Sequence, residues 1–205
     1  MLHPDTELRW IDERIGYGVF ATRPIPRGTI TWVRDELDQV IRPERLVRLP
    51  ERMRQTVDKY SFVDRDGDYV LCWDVARFLN HACEATCLSP GFDFEIAVRD
   101  VSVGGQITDD YGTLNVDVEF ECLCGSPGCR RVIRPDDLLV YGAEWDKLIG
   151  AAFPALRTVA QPLWELVREK EEVGYALAGA APVPSCRSNY CAAAGAQAAG
   201  GRRST

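Results

Sequence analysis

The chain has 205 residues, 46% of them hydrophobic, with a formal net charge of −7 and a pI near 5.0. That length allows one packed domain with extensions, and an acidic balance argues against direct nucleic-acid binding, which needs a basic footprint, while suiting a basic peptide or protein partner. No stretch has the apolar length of a membrane span, and MLHPDTELRW lacks the basic start and apolar run of a secretory signal; the expectation is an intracellular protein, cytoplasmic or, in a eukaryote, nuclear.

In chain order, Leu8 to Ile11 reads as a short strand preceded by a mobile N-terminus that carries His3. Gly16 and Gly18 bracket Tyr17, a pattern that lets backbone approach a ligand beneath an aromatic ring or simply turns a hairpin. Thr29 to Val33 is β-branched and aromatic, hence a strand. Leu46, Val47, Leu49, Met53 and Val57 mark an amphipathic helical segment over 43–59, broken near Pro50. Arg65-Asp66-Gly67-Asp68 turns a hairpin within 60–72. Asp74 then caps a short helix leading into RFLNHACEATC, residues 77–87. A strand over 92–98 and a turn at Gly104 and Gly105 precede QITDDYG, residues 106–112. Many short strands with little helix predict a mostly β domain to this point. From Asp136, Tyr141, Trp145, Leu148 and Ile149, then Leu163, Leu166, Val167 and Leu177, recur at helical spacing, with Pro162 in a first turn: two docked helices. Beyond Gly179 the Ala/Gly/Pro-rich composition predicts no fixed structure.

Eight cysteines in a chain expected to stay inside the cell point to metal or to burial instead of disulfides. Cys122, Cys124 and Cys129 form a C-x-C-x4-C cluster on a loop turned by Gly125, Pro127 and Gly128. Zinc takes four thiolate or imidazole ligands, so a fourth must come from elsewhere. Cys83 is the choice; Cys87, Cys72, Cys186 and Cys191 are alternatives, and His81 a weaker one. A thiol enzyme using Cys83 with His81 ranks low, since no orienting carboxylate is evident. Asp109 and Asp110, adjacent on a strand, point to opposite faces and cannot readily share a site; Asp110 is expected to make a structural hydrogen bond. Tyr17, Trp32, Tyr60 and Trp73 are candidates to line a substrate channel or a cofactor pocket, or merely to pack, with Tyr17 favoured.

GYG at 16–18, RFLNHAC at 77–83, GQITDDYG at 105–112 and CLCGSPGC at 122–129 together resemble, in that order, the motifs of SET-domain protein lysine methyltransferases with a cysteine-rich post-SET segment. The resemblance spans about residues 7–133. It implies a β-clip-like fold of short sheets in which the C-terminal part threads under a preceding loop as a pseudoknot, with C-terminal helices added. The implied division is a SET domain over 1–121, a post-SET zinc knuckle over 122–134, a helical extension over 135–178 and a flexible tail over 179–205. By the same resemblance, Gly16, Tyr17, Gly18, Asn80 and His81 bind S-adenosylmethionine, and Phe120 packs on its adenine. Cys83, Cys122, Cys124 and Cys129 hold one structural Zn2+, and Tyr111 is the catalytic residue. The implied reaction carries a methyl group in line to the side-chain amine of lysine in a basic protein, histone-like or ribosomal. It requires aligned reactants and a neutral amine, which a partly dry aromatic channel favours by disfavouring the charged form. Some positions depart from the pattern: Asp109 replaces an aromatic that helps set the number of methyls, Ala82 a serine, Ala85-Thr86 a Pro-Asn pair and Gly105-Gln106 a glutamate-rich turn. These departures sustain a second reading, a catalytically silent SET-like zinc module that binds a basic peptide.

Overall fold

In the computed structural model, which describes residues 1–192, the chain begins with β1 (Thr6–Asp12), β2 (Gly16–Ala21), β3 (Ile30–Val33) and β4 (Gln39–Ile41). Two helices, α1 (Pro43–Leu46) and α2 (Glu51–Tyr60), are separated at Pro50 as the sequence predicts. The strands β5 (Ser61–Val63), β6 (Tyr69–Leu71), β7 (Asn80–His81), β8 (Cys87–Leu88), β9 (Phe94–Ala97), β10 (Gln106–Asp109), β11 (Phe120–Glu121) and β12 (Val132–Ile133) complete the β part. The helices α3 (Asp137–Ala152) and α4 (Lys170–Leu177) follow.

The strands make four small sheets, ordered β1-β2-β10-β7, β3-β9-β8, β4-β6-β5 and β11-β12. The mostly β expectation holds. β2 and β10 run antiparallel with Ile107 opposite Val19, so two fully buried side chains meet beneath the four-stranded sheet. β7 lies parallel to β10, placing Asn80 opposite Thr108 and His81 opposite Asp109. RFLNHAC and DDYG therefore stand side by side, as expected, although 25 or more residues separate them along the chain.

Two cores support this arrangement. Val19, Ala21, Trp32, Cys87, Ala97 and Ile107 form one under the four-stranded sheet. Phe94, Ile96 and Leu88 form the other together with Leu138, Trp145, Ile149 and Phe153, so α3 completes the β-sheet core. Gln161 strengthens the union: its side chain accepts from the Ile30 N–H at 2.8 Å and donates to the Gly28 carbonyl at 2.8 Å. Gly28 is needed there, because a Cβ would lie 2.6 Å from Ala155 Cβ and its φ is +89°.

Three sequence expectations need correction. The second C-terminal helix does not start at Pro162: the chain makes a 3-10 turn at Trp164–Leu166, leaves it extended at Val167, and becomes α-helical only at Lys170. Tertiary ties explain the break, since Leu163 and Val167 are buried and Glu169 accepts the Asp93 N–H at 3.0 Å. The N-terminus is docked, with Leu2 bridged to Trp32 and His3 buried. The tail does not lose structure at Gly179: Cys186 and Cys191 are only 1% and 4% exposed. Asp146 of α3 accepts from the Ser185 hydroxyl at 2.6 Å and the Cys186 N–H at 2.8 Å, and Asn115 accepts the Cys191 N–H at 2.9 Å. A few polar anchors override an Ala/Gly-rich composition. The rest of the expected tail, 193–205, lies outside the described residues. Among the described residues no helix is long and apolar enough to cross a membrane.

Candidate active site and metal centre

The Gly-Tyr-Gly stretch opens β2, and the turn itself precedes it at residues 13–15. Asn80 Nδ2 donates to the Tyr17 carbonyl at 3.0 Å, tying this stretch to β7. The approach is close: a Cβ at Gly18 would lie 2.7 Å from Gln106 Nε2 and 2.8 Å from Asn80 Nδ2. At Gly16, φ is +84° and nothing lies within 4 Å of a Cβ position, so this backbone faces open space that a ligand can use. Gly16, Tyr17, Gly18, Asn80 and His81 are thus brought together.

Tyr111 begins a 3-10 turn that Asp110 caps by accepting the Gly112 N–H at 3.0 Å. Its hydroxyl donates to the Leu79 carbonyl at 2.7 Å, and burial pushes its pKa up, so it stays a neutral phenol whose lone pairs are free to accept. Its backbone N–H donates to His81 Nδ1 at 3.1 Å. Burial lowers the pKa of His81, outweighing the raising influence of Asp110. A neutral ring accepting at Nδ1 carries its proton on Nε2, and Nε2 lies 3.3 Å from Cys83 Sγ. His81 therefore serves as a donor to a sulfur.

The sulfurs are gathered behind it. Cys122 Sγ lies 3.6 Å from Cys83 Sγ and 3.5 Å from Cys129 Sγ. Four thiolates about 2.3 Å from a zinc ion sit about 3.8 Å apart, so these spacings need only a slight expansion to fit. Backbone N–H groups already point at the sulfurs: Cys83 at Cys124 (3.5 Å), Arg130 at Cys83 (3.3 Å) and Arg131 at Cys129 (3.3 Å). Burial pushes Cys83 up to about 11; at Cys124 burial also raises the pKa, but the Cys83 N–H and Ser126 bring it down to about 6. His81, Cys83, Cys122 and Cys124 have donor atoms within 4.8 Å of one another, which sets His81 against Cys129 for the fourth place. The engaged Nδ1 and protonated Nε2 weigh against His81. Cys72 and Cys87 are buried in the core under the four-stranded sheet, and Cys186 in the core with α3.

Arg130 was not singled out by sequence reasoning, yet it ties the cysteine loop to the Asp-Tyr strand. Its guanidinium grips Asp110 through two bonds of 2.7 and 2.6 Å and lies 4.9 Å from the Tyr141 ring and 5.6 Å from the Trp145 ring. Asp110 is 0% exposed. The structural bond expected for Asp110 is this ion pair, for which the basic residue directly after Cys129 was the only local signal.

On the other side of β10 lies a cavity of about 360 Å³, lined among others by Trp32, Tyr60, Tyr111, Phe120, Glu95 and Asp109. The two adjacent aspartates do face opposite ways. Trp32 and Tyr60 line the cavity, whereas Tyr17 and Trp73 do not; Tyr17 instead packs edge-on against Phe78 (5.8 Å), which packs against Tyr60 (5.3 Å). Tyr17 stands instead in the Gly16–Gly18 stretch, where its carbonyl accepts from Asn80. The Phe120 ring stands 6.3 Å from Tyr111. Glu95 was also missed; its signal was a single acid inside the apolar run FEIAV. Burial pushes Glu95 up to about 7 and Asp109 well above the usual carboxylate range.

Short sheets that pair an Asn-His strand with an Asp-Tyr strand, between a tyrosine-lined cavity and a cysteine cluster, define a SET-type fold. Residues 16–112 match the family model described as SET domain, and this stretch is a SET domain homologous to those of histone-lysine methyltransferases. It is 32% identical over 126 residues to the human histone-lysine N-methyltransferase SETD1B, covering 56% of this chain and 6% of that protein. It is 31% identical over 129 residues to histone-lysine N-methyltransferase set1 of Dictyostelium discoideum, covering 57% and 8%. A crystal structure of the methyltransferase domain of human SETMAR aligns with a TM-score of 0.44 at 16% identity, covering 65% of this chain and 58% of that one. The chain thus spans under a tenth of the length of these curated relatives.

Proposed function

We propose that the protein transfers a methyl group from S-adenosylmethionine to the side-chain amine of a lysine in a basic protein, with Tyr111 as the catalytic residue. The observation that carries this reading is the position of Tyr111: its backbone is bonded to His81 of the Asn-His strand, while its ring lines the cavity on the other side. Gly16, Tyr17, Gly18, Asn80 and His81, with Phe120 at the cavity wall, are the proposed cofactor-binding residues. The cofactor supplies an electrophilic methyl group when bound. The neutral Tyr111 hydroxyl, fixed by Leu79, holds the amine in line by accepting from it. The aromatic wall of Trp32 and Tyr60 excludes water and favours the uncharged amine. Cys83, Cys122, Cys124 and Cys129 are the proposed ligands of one structural Zn2+, which would fix the loop that delivers Arg130 to Asp110. The relatives named as histone-lysine methyltransferases make histones the first substrates to try, beside ribosomal proteins.

Calorimetry with S-adenosylmethionine is expected to show binding to the wild type and nearly equal binding to Tyr111→Phe, while radiolabel transfer to a histone or ribosomal-protein mixture is lost in the variant. Absence of cofactor binding at millimolar concentration would leave the silent peptide-binding module as the function. Retained transfer by Tyr111→Phe would move the catalytic role to another residue.

A further inference from the structure

The helix α3 is apolar on nearly every side; from Asp137 to Ala152 it reads DLLVYGAEWDKLIGAA. Leu138, Gly142, Trp145, Ile149 and Ala152 form its buried stripe. At about 100° per residue, Val140, Lys147 and Ala151 stand opposite that stripe, with Leu139 and Ala143 on one flank and Glu144 and Leu148 on the other. All seven are exposed. Leu139, Val140 and Leu148 keep 45%, 59% and 38% of their surface in water. A helix that is apolar all round belongs in an interior or an interface, because its outward side chains gain by leaving water. The two charges on this face, Glu144 and Lys147, form no ion pair among the described residues. The face lies outside the matched span 16–112, and no α3 residue lines the cavity at Tyr111.

We infer that this face is the contact between two copies of the chain, packed α3 against α3 in antiparallel sense about a two-fold axis. The helix's own sequence selects a second copy as the occupant. An antiparallel two-fold pair centred between Trp145 and Asp146 brings together positions equidistant from that midpoint. Val140 then meets the partner's Ala151, a large side chain against a small one, and the same contact recurs at the other end. Across the middle Glu144 meets the partner's Lys147 and Lys147 meets the partner's Glu144, so both unpaired charges find opposite charges at once. A parallel pair would set Glu144 against Glu144 and Lys147 against Lys147, which fixes the direction. The small Ala143 and Ala151 let the helix axes approach to the usual contact distance of about 8–10 Å, and the two Leu148 side chains fall on one edge of the pair. One helix pair buries less than the roughly 800 Å² per partner of a standard interface, so the dimer is expected to dissociate in the micromolar range. The inference stands apart from the methyltransferase reading, since the pairing leaves the cavity of each copy open.

The test is sedimentation equilibrium of the full chain between about 1 and 300 µM, the range that an interface of this size requires. The mass is expected to rise from the 22.9 kDa of one chain toward twice that value. Val140→Glu, which sets a charge at the centre of the apolar contact, should raise the dissociation constant about tenfold or more. Glu144→Lys and Lys147→Glu, each creating like-charge contacts at both symmetry-related places, should each raise it about five- to tenfold. Combining the two reversals should restore it to within about twofold of wild type, a readout that damage to the fold does not produce. These residues lie on the surface, so the melting temperature of each variant is expected to match that of the wild type. A wild type that stays monomeric throughout would overturn the inference. So would a dimer that Val140→Glu leaves intact, which would put the contact elsewhere, or a combined reversal no better than the single ones, which would refute the antiparallel pairing. Methyl contacts in NMR between Val140 and residues 193–205 of a monomer would give the face to the chain's own tail and equally overturn it.

Discussion

Asp109 and Asp110 are neighbours of one residue type, and the two sides of β10 treat them in opposite ways. Asp110 turns toward the cysteine loop, where Arg130 grips it with two bonds and its side chain also caps the Tyr111 turn. Asp109 turns toward the cavity and meets a second carboxyl, Glu95, with no cation beside it among the described residues. The difference separates a charge that holds the fold from a carboxyl that burial keeps protonated. A buried ion pair joined by two hydrogen bonds is structural in this setting, whereas a buried carboxyl pair without a counter-charge favours its protonated form.

The contrast can be broken most strongly from the cysteine side. Cys124→Ser is expected to lose the single equivalent of zinc that metal analysis should find in the wild type, together with the cooperative unfolding transition, because the loop then no longer positions Arg130. Arg130→Ala should be next, destabilising the protein by about 3 kcal/mol in denaturant titration by leaving Asp110 buried and unpaired. Asp110→Asn combined with Arg130→Ala should recover part of that loss, whereas Asp109→Asn should recover none.

A smaller effect comes from the cavity side and carries a sign. Burial raises Glu95 from 4.5 to about 7, so between those values the unfolded chain has released a proton that the folded chain keeps. The Glu95 contribution to stability is therefore fully present below about pH 4.5 and is lost as pH rises through 7. Glu95→Gln removes this slope: its melting temperature relative to wild type should climb between pH 5 and pH 8, and a constant difference would refute the raised pKa. The smallest effect is expected for Gly18→Ala, whose Cβ would push on the ends of the Asn80 and Gln106 side chains. Stability should change little, while calorimetry should report weaker S-adenosylmethionine binding as Asn80 is displaced from Tyr17.

Features written locally were legible in the sequence. The break at Pro50, the Asp74 cap, the hairpin near Gly67 and the close cysteines each depend on residues within one turn or loop. The neighbourhood of RFLNHAC and DDYG was legible only through the resemblance, since nothing in either stretch specifies a parallel partner. Arg130 and Glu95 escaped because their roles exist only after distant strands and loops have met; an arginine after a cysteine and a glutamate in an apolar run each have many uses. The docked segment ending at Cys191 escaped for a related reason: its composition says little, and its stability comes from Asp146 and Asn115, which belong to other elements.

The core shared between β9 and α3 sets a lower limit on the cooperative unit. A fragment trimmed to the matched span 16–112 would keep every residue from Gly16 to Gly112 yet strip Trp145, Ile149 and Phe153 from above Phe94 and Ile96. That face would become an exposed apolar patch of the kind that drives aggregation. The evolutionary module and the thermodynamic module of this protein therefore have different lengths, and truncations or domain swaps should respect the second.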